Sequence, residues 1–134
     1  MAKKFSAQVD AWIAKSERLS MAVLHQATRA VINDANTPIA KGGRMRVKTS
    51  TLRNSLKSKI GSMPSGTAEP GDWKDSEVVL TLTRMQPGQV FYAGWIANYA
   101  RPREHYDGFL RMAAQKWQEQ VDAAARQLKQ RAGR

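Results

Sequence analysis

Residues 76–92 read SEVVLTLTRMQPGQVFY. Val78, Leu80 and Leu82 recur at every second position with Val79, Thr81 and Thr83 between them, so an extended chain over Ser76–Arg84 puts aliphatic side chains on one face and a β-branched set on the other. Met85–Gln89 contains Pro87-Gly88, a turn pair, and Val90–Tyr92 follows as a second short strand. Strands joined this closely are expected to pair antiparallel. Upstream, Leu56–Met63 alternates through Leu56, Ser58 and Ile60 and reads as a further strand.

Outside this centre the spacing changes from two to three and four. Phe5, Val9, Trp12, Ile13, Leu19, Val23, Leu24, Ala27, Val31 and Ile32 mark an amphipathic helix over Phe5–Asn33. Its length, roughly 40 Å at 1.5 Å per residue, exceeds the diameter of about 35 Å expected for a domain of this size. An apolar stripe that overhangs its own domain is a first indication of assembly. Asn33, Asp34, Asn36, Thr37 and Pro38 then close the helix. Ile39–Thr51 is expected as a long loop, Thr51–Leu56 as a helical turn or strand entry, and Gly61–Asp75 as a second loop. Trp95, Ile96 and Tyr99 have helical spacing within Ala93–Ala100, with Pro102 as the stop. From Asp107, a plausible N-cap, Phe109, Ala113, Trp117, Val121, Ala124 and Leu128 lie on one helical stripe that ends in Arg126, Lys129 and Arg131 before Gly133. The expected class is α+β: one domain over residues 1–134, with a small antiparallel sheet covered by a long N-terminal and a long C-terminal helix.

The chain has 134 residues, 22 Lys plus Arg against 11 Asp plus Glu, two His and no Cys. The missing cysteines exclude disulfides, thiolate metal sites and cysteine nucleophiles, and two histidines make a protein-only zinc site improbable. Lys3 and Lys4 open the chain as a signal peptide would. Gln8, Asp10 and Lys15 interrupt any apolar stretch behind them, so neither export by that route nor membrane insertion is expected. A formal charge of +11 points to anionic partners.

Three features of the sequence bear on chemistry. Lys48-Thr49-Ser50 behind Gly42-Gly43 has the flavour of a phosphate loop, but Val47 stands where that loop needs glycine. Glu104, His105 and Asp107 could pair acid with base, yet no nucleophile accompanies them, and a solvated turn with a helix cap is the better expectation. His25 sits mid-helix as a packing residue. No catalytic residue, cofactor or metal is therefore assigned, and no enzyme is expected.

The anomaly is electrostatic. Lys41, Arg44, Arg46, Lys48, Arg53, Lys57 and Lys59 follow one another with no acidic residue between Asp34 and Glu69. They form either a solvated basic surface or a footprint for DNA phosphates or an acidic partner. No aromatic residue lies among them, which argues against single-strand stacking. Four acids, Glu69, Asp72, Asp75 and Glu77, follow closely and could meet the basic loop of a neighbouring copy. Trp73 in that acidic loop is either folded back on the sheet or an interface anchor.

Thr37-Pro38 through Gly43 followed by Thr49-Ser50-Thr51-Leu52-Arg53-Asn54-Ser55-Leu56, then Val90-Phe91-Tyr92-Ala93 with Trp95-Ile96, then Gly108-Phe109-Leu110-Arg111-Met112-Ala113, resemble in order and spacing the signature of small tail completion or head-to-tail joining proteins of long-tailed bacteriophages. Thr51 and Ala97 stand where that family usually has glycine and glutamate, and Tyr99 replaces a frequent glycine. The resemblance implies a structural virion protein, made in the host cytoplasm, that forms a ring of six copies at the top of the tail. There it would end tube growth, touch the tail tube protein and the head-neck connector, and contact channel DNA non-specifically. The alternative expectation is a basic DNA-binding or packaging accessory protein.

Overall fold

The structure, a computed structural model, describes residues 2–46 and 50–132. The chain opens with helix α1, Ala2–Ala35, whose 34 residues span about 51 Å, longer than its sequence pattern indicated. A single 3₁₀ turn, Ile39–Lys41, leads to the short helix α2, Thr51–Asn54, and to strand β1, Leu56–Ile60. Then come helix α3 (Ser76–Arg84), strand β2 (Phe91–Trp95), and helices α4 (Ala100–Asp107), α5 (Phe109–Ala114) and α6 (Trp117–Ala132). The class is α+β, with long helices at both ends of the chain and a two-stranded antiparallel sheet between them.

Ser76–Arg84 is a helix and not the expected strand. Over nine residues the two periods are nearly degenerate, because Val78 and Leu82 are four apart and share a face in either conformation. Burial separates them. Val78, Leu82 and Met85 are in the core, at i, i+4 and i+7, whereas Leu80 is 49% exposed. Glu77 in the first turn and Arg84 in the last suit the helix dipole. The threonine hydroxyls are satisfied within the helix: Thr81 donates to the Glu77 carbonyl at 3.0 Å and Thr83 to the Val79 carbonyl at 2.8 Å.

The partner of β2 is consequently β1, with Leu56 opposite Trp95, Ser58 opposite Ala93 and Ile60 opposite Phe91. This corrects the expected hairpin of residues 76–92, and it moves Ala93–Trp95 from the expected helical segment into the strand. Helix α3 lies on β1, where the Glu77 carboxylate accepts from the Ser58 amide at 3.3 Å and from its hydroxyl at 3.0 Å. Leu56 and Ile60 face inward, while Lys57 and Lys59 stand on the exposed face.

Pro102 does not stop a helix. It lies in the first turn of α4, where a missing N–H costs nothing. Gly108, in the left-handed region at φ 65°, separates α4 from α5, and the turn at Gln115 and Lys116 divides the stripe read as one helix from Asp107 into α5 and α6. The cap is also different. Gly108 occupies the N-cap position, and the Glu104 carboxylate accepts from the amides of Leu110 at 2.8 Å and Arg111 at 3.0 Å. Gly133, the expected C-terminal stop, lies outside the described residues.

Helix α6 runs antiparallel along α1, from the Lys116–Asp34 ion pair at 3.7 Å to a hydrogen bond between the side chains of Gln26 and Gln127. Two apolar clusters form the interior. One joins Ile32 of α1 to Leu56, Val78, Leu82 and Met85; the other joins Met45, Leu52, Ala97 and Phe109. Trp95 touches both, edge-on to Phe109 with centroids 4.8 Å apart. Its indole N–H donates to Oδ1 of the fully buried Asn36 at 2.9 Å, and the Asn36 amide donates to the Arg53 carbonyl at 3.1 Å. Among the described residues no helix is long and apolar enough to cross a membrane.

Candidate functional site

The segment from Pro38 to Arg46 is an anchored loop. Pro38 bridges Met45, the Ile39 amide donates to the Met45 carbonyl at 3.0 Å, and the Met45 side chain is fully buried. Gly43 is required where the chain folds under itself, since a Cβ there would stand 1.9 Å from the Thr37 carbonyl oxygen. Lys41, Arg44 and Arg46 are thereby presented outward on a short, tied scaffold.

The seven cations that form one run in sequence separate in space. Lys48 lies outside the described residues. Arg53 turns inward: its Nε donates to the Asn36 carbonyl at 2.9 Å, and its guanidinium lies 5.4 Å from the Trp73 ring centroid. Lys57 and Lys59 stand on the outer face of the sheet. What the fold adds to Lys41, Arg44 and Arg46 comes from sixty residues away. The Arg46 amide donates to the Asp107 carboxylate at 3.3 Å, which joins the loop to the α4–α5 corner.

That corner carries Arg101, Arg103, His105, Tyr106 and Arg111. Tyr106 is 77% exposed, with the His105 ring edge-on at 5.3 Å and the Arg103 guanidinium 5.9 Å from its centroid. Both carboxylates of the corner are occupied: Asp107 pairs with Arg103 and takes the Arg46 amide, and Glu104 caps α5. Among the described residues the side chains of Lys41, Arg44, Arg46, Arg101 and Arg111 form no ion pair. The sequence reading missed this half of the surface. Arg101-Pro-Arg103 and Tyr106 were visible as a basic, aromatic segment, but nothing local tied them to residue 46.

Trp73 is half-buried, folded back on the cluster of Leu56 and Val78, with its indole nitrogen out of reach of water. Of the four acids around it, Asp75 accepts from Arg29 Nε at 2.7 Å, which holds its carboxyl below the usual range, and Glu77 serves Ser58. Glu69 and Asp72 remain exposed. His25 lies between two grooves of about 520 and 510 Å³ along α1, and burial lowers its pKa. Among the described residues no three His, Cys, Asp or Glu side chains are grouped to hold a metal ion.

The other exposed feature is the beginning of α1. Extrapolating the α1–α6 pairing brings the end of α6 level with about residue 21 of α1, so roughly the first 30 Å of α1 project beyond it. Trp12 is 69% exposed there, and Val9, Ile13 and Leu19 are also open to solvent. The chain matches no protein-family model, and neither a curated protein nor a solved structure matches it significantly.

Proposed function

We propose that this protein is a structural subunit that acts by assembly and catalyses no reaction. In this reading copies of the chain form a ring, of six members, at the top of a long phage tail, end the tail tube and join it to the head neck. The protein is then made in the host cytoplasm and carried in the virion. The setting comes from the resemblance to tail completion proteins. Parts of its three motifs, Leu52, Ala93-Trp95 and Phe109, lie close together around Trp95 in the two joined clusters.

The observation that carries assembly is the projecting half of α1. Val9, Trp12, Ile13 and Leu19 expose an apolar stripe of roughly 300–400 Å², judged from ordinary side-chain areas, within the range of about 300–600 Å² for a monomer's largest patch, which is often functional. Two copies meeting through this stripe alone would bury less than the ~1,000 Å² of a stable interface. Pairwise association is therefore weak, and a closed ring, in which each copy gives and receives such contacts, is the arrangement that makes it productive.

The test is a Val9→Ser, Trp12→Ser, Ile13→Ser variant. It should keep the wild-type melting temperature while abolishing rings seen by electron microscopy and leaving tails overlong and unjoined to heads. Normal tails and normal joining with this variant would overturn the proposal. A second reading, a basic DNA-binding or packaging accessory protein, is favoured by a separate observation, the arginine-rich corner.

A further inference from the structure

We infer that the surface made by the Lys41–Arg46 loop and the α4–α5 corner binds the phosphate backbone of nucleic acid, with Tyr106 laid against a sugar or an unpaired base. The Arg46–Asp107 hydrogen bond makes the two segments one surface. Buried Met45 beneath the loop and Phe109 at the start of α5, 2% exposed, hold both halves rigidly, so little ordering is needed on binding.

Charge complementarity selects the partner. The corner's own carboxylates, Glu104 and Asp107, are engaged in capping and pairing, so five cations face outward without an anion among the described residues. A second copy of the chain adds more positive charge than it neutralises. With 22 Lys plus Arg against 11 Asp plus Glu, every added copy brings a further +11. Five of those acids, Asp34, Asp75, Glu77, Glu104 and Asp107, already have partners within the chain. The partner is therefore a foreign polyanion. Tyr106 favours nucleic acid over an acidic protein: an exposed ring beside Arg103 and His105 offers a stacking face that bases and sugars use and carboxylates do not.

The inference does not rest on the ring, since a single copy carries the whole surface. It is tested with the full chain by fluorescence anisotropy on a labelled duplex and on a single strand of equal length, across about 50 to 300 mM salt. Duplex affinity should fall with salt at a log-log slope near −4, about 0.9 per phosphate neutralised. The Arg44→Ala, Arg46→Ala, Arg101→Ala variant should lose at least about tenfold in affinity and flatten the slope by roughly 2 to 3, at an unchanged melting temperature. Tyr106→Ala should weaken single-strand binding several-fold with the slope intact. Lys57→Ala, Lys59→Ala, on the sheet face, is the control for net charge. The proposal is overturned if the triple variant binds like wild type, if the lysine control loses as much, or if polyglutamate competes as well as duplex. None of these outcomes bears on the α1 variant, so the ring and the corner stand or fall separately.

Discussion

Cutting Asn36 to alanine should destabilise the protein by about 2–3 kcal/mol, because this side chain is the polar joint between the two apolar clusters. Asn36 is fully buried, accepts the Trp95 indole N–H at 2.9 Å and donates to the Arg53 carbonyl at 3.1 Å. The Asn36→Ala variant leaves one donor and one acceptor without partners. Each such orphan costs about 1–3 kcal/mol, and the low end, about 1–1.5 kcal/mol, applies because Trp95 and Arg53 are only half-buried. For a domain of this length roughly 1 kcal/mol moves the melting temperature by about 3–5 °C, so a fall of about 6–15 °C is expected by circular dichroism. A double-mutant cycle isolates the hydrogen bond. Trp95→Phe removes the donor and keeps most of the ring, so in that background Asn36→Ala should cost about 1 kcal/mol less than in the wild type. A single variant within about 0.5 kcal/mol of wild type, or a cycle whose two steps add, would refute the assignment of Asn36 as the joint.

Four further outcomes follow from the packing. Leu82→Ala should cost about 2–4 kcal/mol in urea unfolding and Leu80→Ser under about 0.5, since only Leu82 is buried; similar costs for both would indicate that they share a strand face. Glu104→Ala should lose about 1 kcal/mol with the two amides at the start of α5, whereas Glu104→Gln should lose less, measured by thermal melts. Gly43→Ala should destabilise by more than about 2 kcal/mol, because its Cβ would collide with the Thr37 carbonyl, while Gly42→Ala at φ 88° meets open space and should cost about 1–2 kcal/mol of backbone strain. His25 has a native pKa below 6.5 through burial, so its contribution is complete above pH 6.5 and is lost as the unfolded chain takes up a proton on acidification. His25→Gln should accordingly lose less stability than wild type between pH 7.5 and 5 in melting experiments, and identical pH profiles would contradict this.

The seven-residue basic run shows how far a linear reading reaches. Its charge was plain, but its geometry was not: Arg53 is withdrawn by the Asn36 carbonyl, Lys57 and Lys59 are sent to the sheet face by β1 pleating, and Lys41, Arg44 and Arg46 gain Tyr106 and three arginines from the α4–α5 corner. Trp73, in a segment with no period at all, is placed by a core that the segment only borders.

The long helices, the α+β class and the excess of positive charge are properties of local pattern and composition. In α1 the three-and-four spacing repeats for many turns, a period that only a helix gathers onto one face. Over Ser76–Arg84 nine residues satisfy a two-residue and a 3.6-residue period almost equally, and the choice passes to the long-range competition for Val78, Leu82 and Met85 in one core. Once that segment is a helix, β2 must find its partner thirty residues upstream in β1, and the chain is brought round so that Arg46 meets Asp107. Such pairings depend on which buried surfaces can be filled together, a condition on the whole chain that no window of it contains.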